Sequence, residues 1–148
     1  MSGLLLGKSV GLASDHGAVE LRHAARKCLQ AQGFIIQDYG TDGHDSVDYP
    51  DYADRLAGAL ASGDIDWGVA MCGTGLGISM ALNRHRHVRA ALCHNETLAR
   101  MARAHNDANV IVFGGRMVGG LVMQNCLDVF VKTAYEMGRH QQRIAKFS

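Results

Sequence analysis

The sequence predicts an α/β fold in which a doubly wound sheet of about five parallel strands is flanked by helices. Short apolar runs alternate along the chain with longer segments of helical spacing, as in chains built from strand–helix–strand units. Each run is apolar throughout, which is typical of parallel strands buried on both faces, and right-handed crossovers make such a sheet doubly wound. The predicted strands are Val10–Ala13, Phe34–Ile36, Trp67–Met71, Val88–Leu92 and Val110–Phe113.

The segments between these strands have helical spacing and recognisable ends. Gly33 and Gly63 each follow a run of helix-forming residues and are stop signals. A loop rich in glycine, aspartate and serine covers residues 40–46. The predicted helices are Val19–Leu29, the segment from Pro50 to Leu60, Ile78–Leu82, Glu96–Ala104, Val118–Val131 and a polar helix that ends the chain.

Composition predicts one domain over residues 1–148 that needs no disulfide or metal to hold its core. A formal net charge of +1 gives no broad electrostatic case for binding nucleic acid or an anionic membrane. No apolar run approaches the roughly 20 residues that span a bilayer. The opening segment Met1–Lys8 lacks a basic region and is too short for a signal peptide, so we expect a cytoplasmic protein with reduced cysteines.

Chemically active residues follow several of the predicted strands. Asp15 and His16 come after the first strand, Cys72 after the third, and Arg116 after the fifth. The segment His105-Asn106-Asp107 lies between the fourth and fifth strands. Ligands of open α/β sheets bind beyond the carboxyl ends of the strands, so we expect these groups at one sheet edge. The alternative is that they are ordinary polar loop residues.

The turn after the third strand, residues 72–77, is the most informative motif. Its alternate glycines, Gly73, Gly75 and Gly77, let the backbone approach a ligand and leave N–H groups free to bind an anion. The spacing does not match a dinucleotide-binding fingerprint or a P-loop, and Ile78 stands where a thiol phosphatase needs arginine. A thiol beside an oxyanion-binding turn remains, and at a helix start Cys72 is favoured as a thiolate.

The remaining candidates are weaker. Cys28 and Cys126 occupy apolar helical positions and are expected to be structural, as is Cys93 at the end of the fourth strand. Arg139 and Arg143 are four residues apart, so on a helix they share a face and could hold one phosphate. The alternative for that pair is a solvated surface. The stretch 85–87 reads as a surface loop and not as a metal site.

Several separated motifs stand out along nearly the whole chain. They are Ser14-Asp15-His16, Asp48-Tyr49-Pro50, residues 72–79 (CGTGLGIS), residues 89–93 (RAALC), residues 105–110 (HNDANV) and residues 138–143 (GRHQQR). In this order they resemble the motifs of the ribose-5-phosphate isomerase B family, and galactose-6-phosphate isomerase subunits belong to the same superfamily.

The resemblance implies a Rossmann-like sheet and an aldose–ketose isomerase that works through an enediolate without metal or organic cofactor. Cys72 resembles the base of cysteine-type members, whereas other members carry a carboxylate at the position of Ile78. Thr74 and the amides of the glycine turn would stabilise the enediolate. Asp15, with His105 as partner, would open the sugar ring.

The resemblance also implies a homodimer, paired into a tetramer in some members, with active sites at the subunit interface. His16, Arg139 and Arg143 would bind the phosphate of the substrate, and Tyr49 would line the sugar pocket. Asn106 and Arg116 would approach from the neighbouring subunit, and the C-terminal helix is expected to pack on that neighbour.

The sequence departs from the family where His16-Gly17-Ala18-Val19 lacks the usual aromatic residue, so the sugar is left open. Ribose 5-phosphate is the expected substrate. The alternatives are galactose 6-phosphate, allose 6-phosphate or a tetrose phosphate, or a non-catalytic subunit that only binds a sugar phosphate.

Overall fold

The computed structural model describes residues 6–148, so Met1–Leu5 of the opening segment considered above lie outside the described residues. Its centre is a sheet of five strands in the order β2-β1-β3-β5-β4, with every neighbouring pair parallel. The strands are β1 (Ser9–Ser14), β2 (Ile35–Asp38), β3 (Trp67–Cys72), β4 (Ala90–Leu92) and β5 (Val110–Gly114). The predicted fold class is therefore confirmed.

Helices connect the strands and cover both faces of the sheet. They are α1 (Val19–Ala31), α2 (Tyr49–Ser62), α3 (Leu76–Leu82), α4 (Glu96–Ala104), α5 (Gly120–Lys132) and α6 (Arg139–Ile144), with a short 3₁₀ turn at His16–Ala18. Gly33 and Gly63 follow α1 and α2 with φ of 90° and 81°, as their prediction as stop signals requires. Among the described residues, no helix has the length and apolar character of a membrane span.

Two buried clusters, one on each face of the sheet, form the core. Side chains along a strand alternate between faces, so Val69 and Met71 belong to one cluster while Ala70 and Cys72 belong to the other. The first cluster is closed by α1, α4 and α5, and the second by α2 and α3. This two-sided burial is the physical reason for the uninterrupted apolar runs.

All five strands differ from their predicted bounds by one or two residues, and the reasons are clear at β3 and β4. β3 includes Cys72, because Cys72 pairs with Gly114 of β5. β4 begins at Ala90 and not at Val88, because the Val88 N–H donates to the carbonyl of His85 within a turn. Both shifts leave the apolar pattern intact and change only where the ladder begins or ends.

The strand order also locates the crevice where a ligand is expected. From β1 the chain adds β2 on one side and then crosses back to place β3 on the other, so the direction of winding reverses between β1 and β3. Ligands of open α/β sheets bind at such a reversal, beyond the carboxyl ends of the strands. The residues that leave β1 and β3 there are Asp15 and Gly73.

Candidate active site

Cys72 ends β3 with its side chain almost fully buried at the carboxyl edge of the sheet. Its exposed fraction is 5%, and the Gly75 N–H donates to its Sγ at 3.2 Å. The buried cluster of α2 and α3 surrounds the thiol on its other side.

Gly75 holds the turn in a conformation that only glycine adopts easily. Its φ is 81°, and a β-carbon there would lie 2.5 Å from Leu92 Cδ1 and 3.0 Å from the carbonyl carbon of Phe113. The turn is therefore pressed against the edge of β4 and β5. Thr74 stands exposed at its tip, and its Oγ1 accepts a hydrogen bond from the Leu76 N–H at 3.2 Å.

The loop after β5 is joined to the glycine turn by two backbone hydrogen bonds. The Gly115 N–H donates to the carbonyl of Cys72 at 2.8 Å, and the Arg116 N–H donates to that of Gly73 at 2.9 Å. The Arg116 guanidinium lies beside Gly73, 3.4 Å from where a β-carbon would stand. Arg116 thus reaches the site of its own chain, and the prediction that it approaches from a neighbouring subunit is wrong.

Asp15 and His16 bring the loop after β1 against the same turn. Asp15 is buried and its Oδ1 accepts a hydrogen bond from the Gly17 N–H at 2.8 Å. A β-carbon on Gly17 would lie 2.9 Å from the backbone nitrogen of Gly73, so the two loops are in direct contact. The Val47 N–H donates to His16 Nδ1 at 3.2 Å. Because Nδ1 accepts, the neutral ring carries its proton on Nε2, which is a donor for a bound anion.

Tyr49 lies across the other end of the glycine turn. A β-carbon on Gly77 would overlap the Tyr49 ring, so this glycine makes room for the aromatic side chain. Tyr49 begins α2 and is partly exposed. Of the predicted site residues, this edge brings together Asp15, His16, Tyr49, Cys72, Gly73, Thr74, Gly75, Gly77 and Arg116.

His105 and Asn106 lie at the opposite edge of the sheet, so the prediction that all the polar groups share one edge is wrong. They follow α4 and precede β5, and α4 has already returned the chain to the amino ends of the strands. A strand of five or six residues at about 3.3 Å per residue separates the two edges by roughly 15 Å. The order of elements in the sequence already contained this signal.

The C-terminal helix α6 lies at this amino edge with His105. The His140 ring stacks on the His105 ring, with centroids 4.3 Å apart and planes 17° from parallel. Arg139 and Arg143 are exposed on α6, as the predicted phosphate pair requires. The chain thus carries two groups of predicted site residues: a thiol site at the carboxyl edge, and an imidazole–guanidinium site formed by His105, Asn106, Arg139 and Arg143.

Arg22 is a buried cation that sequence reasoning missed. Its side chain is fully enclosed, and its guanidinium donates to Ser14 Oγ and to the carbonyl of Thr41 and forms ion pairs with Asp38 and Asp42. It therefore ties the loop that carries Val47 to the end of β1. The signal was an arginine on the apolar stripe of α1, in register with Ala25 and Leu29.

The other cysteines differ from Cys72 in their surroundings. Burial, with a smaller contribution from Cys126, raises the pKa of Cys93 to about 12. Burial also raises the pKa of Cys126 and of the partly exposed Cys28. All three thiols are held in the neutral form, in keeping with the structural role predicted for them.

An apolar groove of about 480 Å³ adjoins the thiol site. Thr74 lies on its rim, and Leu92 and Cys93 line its floor. Large apolar side chains around it are exposed, namely Leu76, Met117 and Val122. An apolar face of this kind on one side of a site is typical of a protein–protein contact.

Comparison with known proteins places this arrangement among sugar-phosphate isomerases. The family model described as Ribose/Galactose Isomerase matches residues 10–147. The chain is similar to ribose-5-phosphate isomerase B of Escherichia coli (strain K12), with 39% identity over 137 residues, which span 93% of this chain and 92% of the relative.

Solved structures give the same result. A ribose 5-phosphate isomerase from Thermotoga maritima matches with a TM-score of 0.92 and 43% identity, covering 94% of this chain and 96% of that one. Ribose-5-phosphate isomerase B from Mycoplasma genitalium, with bound ribulose-5-phosphate, matches with a TM-score of 0.88 and 37% identity, covering 93% of this chain and 92% of that one.

Proposed function

This chain belongs to the ribose/galactose isomerase family and is an aldose–ketose isomerase of sugar phosphates, and we propose that it interconverts ribose 5-phosphate and ribulose 5-phosphate with Cys72 as the base. The observation that carries the proposal is the buried Cys72 thiol, with the Gly75 N–H on its sulfur and the Asp15 loop beside it. The choice of sugar follows the relatives, since the Mycoplasma genitalium structure holds ribulose-5-phosphate.

The proposed chemistry is a proton transfer between neighbouring carbons. The Cys72 thiolate takes the proton from C2 of the open-chain aldose, and the C–H electrons form a C1–C2 double bond while negative charge moves to O1. N–H groups of the glycine turn and the Thr74 hydroxyl stabilise this enediolate. The thiol then returns the proton to C1 while the O2 proton moves to O1, which gives the ketose and restores the thiolate. Ile78 is an alkyl side chain buried in the core and offers no competing base.

The remaining groups hold the substrate and open its ring. His16 presents Nε2–H, and Arg139 and Arg143 present guanidinium groups, all suited to a phosphate. Tyr49 lines the sugar, with Arg116 beside the turn. Asp15 and His105 exchange the ring-opening protons. Binding the phosphate away from the reacting carbons positions them without taking part in the chemistry.

A second copy of the chain completes the site in this proposal. The thiol site and the imidazole–guanidinium site of one chain are roughly 15 Å apart along the strands, too far to act on one pentose phosphate. In a two-fold dimer the thiol site of each copy meets the imidazole–guanidinium site of the other. The exposed apolar groove beside Thr74 is the surface that such a partner would cover.

The first experiment measures conversion of ribose 5-phosphate to ribulose 5-phosphate by the purified chain. Cys72→Ala is expected to lose at least about a hundredfold in turnover, as for removal of a general base, while the far-UV circular dichroism is unchanged. Cys28→Ala is the matched control and should turn over normally. Normal turnover by Cys72→Ala would refute the assignment of the base. A wild-type chain that turns over only another aldose phosphate, such as galactose 6-phosphate, would refute the substrate.

The second experiment tests the shared site by mixing inactive chains. Cys72→Ala and His105→Ala damage different halves of the shared site, so a dimer of one variant with the other keeps one intact site. Random mixing after co-refolding should restore about a quarter of wild-type activity, because half the dimers are mixed and each has one good site of two. Activity that stays at the level of the separate variants would mean that each chain builds its site alone.

A further inference from the structure

Glu136 lies beside the Nε2 atoms of the two stacked imidazoles, His105 and His140. Its Oε1 is 3.7 Å from His105 Nε2 and 3.6 Å from His140 Nε2. Its backbone N–H donates to the carbonyl of Ala104, the last residue of α4, at 2.9 Å. The backbone that carries this carboxylate is therefore attached to the end of the helix that precedes His105.

The backbone turn that follows Glu136 positions His140, the second ring of this cluster. Met137 and Gly138 have φ of 63° and 56°, so the backbone reverses sharply and α6 begins directly after Glu136. The reversal places His140 under His105, where only 9% of the His140 side chain is exposed, against 37% for His105 and 58% for Glu136. His140 is therefore the buried ring on which His105 packs, and His105 is the ring that faces solvent.

We propose that Glu136 is a positioning residue that holds His105 in the tautomer with its proton on Nε2. One carboxylate oxygen lies 3.6–3.7 Å from both Nε2 atoms, where it attracts N–H groups and repels nitrogen lone pairs, and this favours Nε2 as the protonated nitrogen of each ring. His105 Nδ1 is then the free lone pair, available to a sugar hydroxyl in the partner's thiol site. The inference deepens the proposed function, and rests on it where it assigns His105 to ring opening.

The same three side chains do not form a good metal site. Their ligand atoms lie within 4.8 Å of one another, close enough for an ion by distance alone. The lone pairs of imidazole nitrogens lie in the plane of the ring, however, and the two rings are nearly parallel. An ion about 2.0–2.1 Å from both nitrogens would lie almost between the two ring planes and off both lone pairs, whereas an oxygen 3.6–3.7 Å away lies closer to both planes.

The other charged groups on the surrounding elements either form ion pairs elsewhere or are proposed to bind the phosphate. Arg103 of α4 pairs with Asp107, at 2.9 Å. Arg139 and Arg143 of α6 form no ion pair with any described residue and are the proposed phosphate ligands. Among residues 6–148, Glu136 is the carboxylate in ion-pair range of both rings.

The test is Glu136→Gln, which keeps the shape and replaces one oxygen by an NH₂ donor. The amide is uncharged and a weaker acceptor, and its NH₂ group can turn toward the rings, where a donor favours an unprotonated Nε2. Long-range ¹H–¹⁵N correlation spectra at fixed pH, assigned with His105→Gln and His140→Gln, report which ring nitrogen carries the proton. We expect Nε2–H on His105 in the wild type and a shift toward Nδ1–H in Glu136→Gln.

Kinetics separate positioning from a structural role. In Glu136→Gln we expect kcat for ribose 5-phosphate to fall about tenfold with KM unchanged, less than the roughly 10²–10⁴-fold of losing an acid–base group, because His105 itself remains. Deuterium entry at C1 of ribulose 5-phosphate in D₂O should stay at the wild-type rate, because ribulose 5-phosphate is acyclic and this exchange needs the base alone. Glu96→Gln, the same change at the far end of α4, is the matched control and should alter neither measurement.

The outcomes distinguish this inference from the proposed function. An unchanged His105 tautomer in Glu136→Gln overturns it, as does a changed tautomer with unchanged kcat. Equal losses of kcat for ribose 5-phosphate and of the rate of deuterium entry also overturn it, since they would indicate general damage to the site. If the wild type shows no isomerisation, the proposed function fails, and the spectra still decide whether Glu136 sets the tautomer.

Discussion

Gly75→Ala is expected to destabilise the chain and disable the glycine turn, and Gly63→Ala is a matched control. Both glycines have φ of 81°, with ψ of −15° at Gly75 and 12° at Gly63. A β-carbon at Gly63 would meet nothing within 4 Å, whereas one at Gly75 would lie 2.5 Å from Leu92 Cδ1 and 3.0–3.1 Å from backbone atoms of Phe113 and Gly114. The two substitutions share the conformational cost and differ only in the steric one.

The magnitudes follow from these two terms. An L-residue in the left-handed region costs about 1–2 kcal/mol, which is the whole effect expected for Gly63→Ala. Gly75→Ala adds roughly 1–3 kcal/mol of overpacking, because the backbone of β5 cannot move aside as a flexible side chain can. We therefore expect Gly75→Ala to lose about 1–3 kcal/mol more of unfolding free energy than Gly63→Ala.

The assay is urea unfolding of both variants and the wild type at one protein concentration, since association contributes to stability. Trp67 is the single tryptophan and is fully buried, so its fluorescence reports loss of the core. Turnover should also fall in Gly75→Ala under conditions where it is folded, because the Gly75 N–H moves away from Cys72. Equal destabilisation by the two substitutions would refute the steric reasoning.

Three further predictions concern charge. Arg143→Ala should raise KM for the sugar phosphate with little change in kcat, and an unchanged KM would make Arg143 a surface residue. Arg22→Met should lose about 3–5 kcal/mol in urea unfolding, because it leaves the Asp38 carboxylate, whose side chain is only 15% exposed, without its main partner. Burial raises the pKa of Cys93 from 9.0 to about 12, so above pH 9.0 the unfolded chain releases this proton first and stability falls with rising pH. Cys93→Ala should make that fall shallower by up to about 1.4 kcal/mol per pH unit, measured as unfolding free energy against pH.

Local patterns predicted the elements well because each reports its own surroundings. A strand such as Trp67–Cys72 is covered on both faces, so its composition alone identifies it as buried and parallel. The ends of α1 and α2 were visible in Gly33 and Gly63, whose left-handed conformation is a local property. The Cys72 turn was recognisable for the same reason, since its glycines and thiol are contiguous.

Long-range contacts were not predictable in this way. The partners of Arg22 lie 8 to 20 residues away along the chain and meet it only after β1 and β2 have paired. Glu136 is separated from His105 by the whole of β5 and α5, and no local pattern links them. The edge occupied by His105 was deducible from the order of elements, but spacing along the sequence is not distance across a sheet.

The sequence by itself determined the α/β fold class, the position of the thiol and its glycine turn, and membership of an isomerase family. These depend on periodicity and on contiguous motifs, which are properties of neighbouring residues. Tertiary structure alone decided the strand order β2-β1-β3-β5-β4, the enclosure of Arg22, and the separation of the thiol from His105 and α6 at opposite edges. Those features arise from crossovers and register, which bring together residues that no local pattern connects.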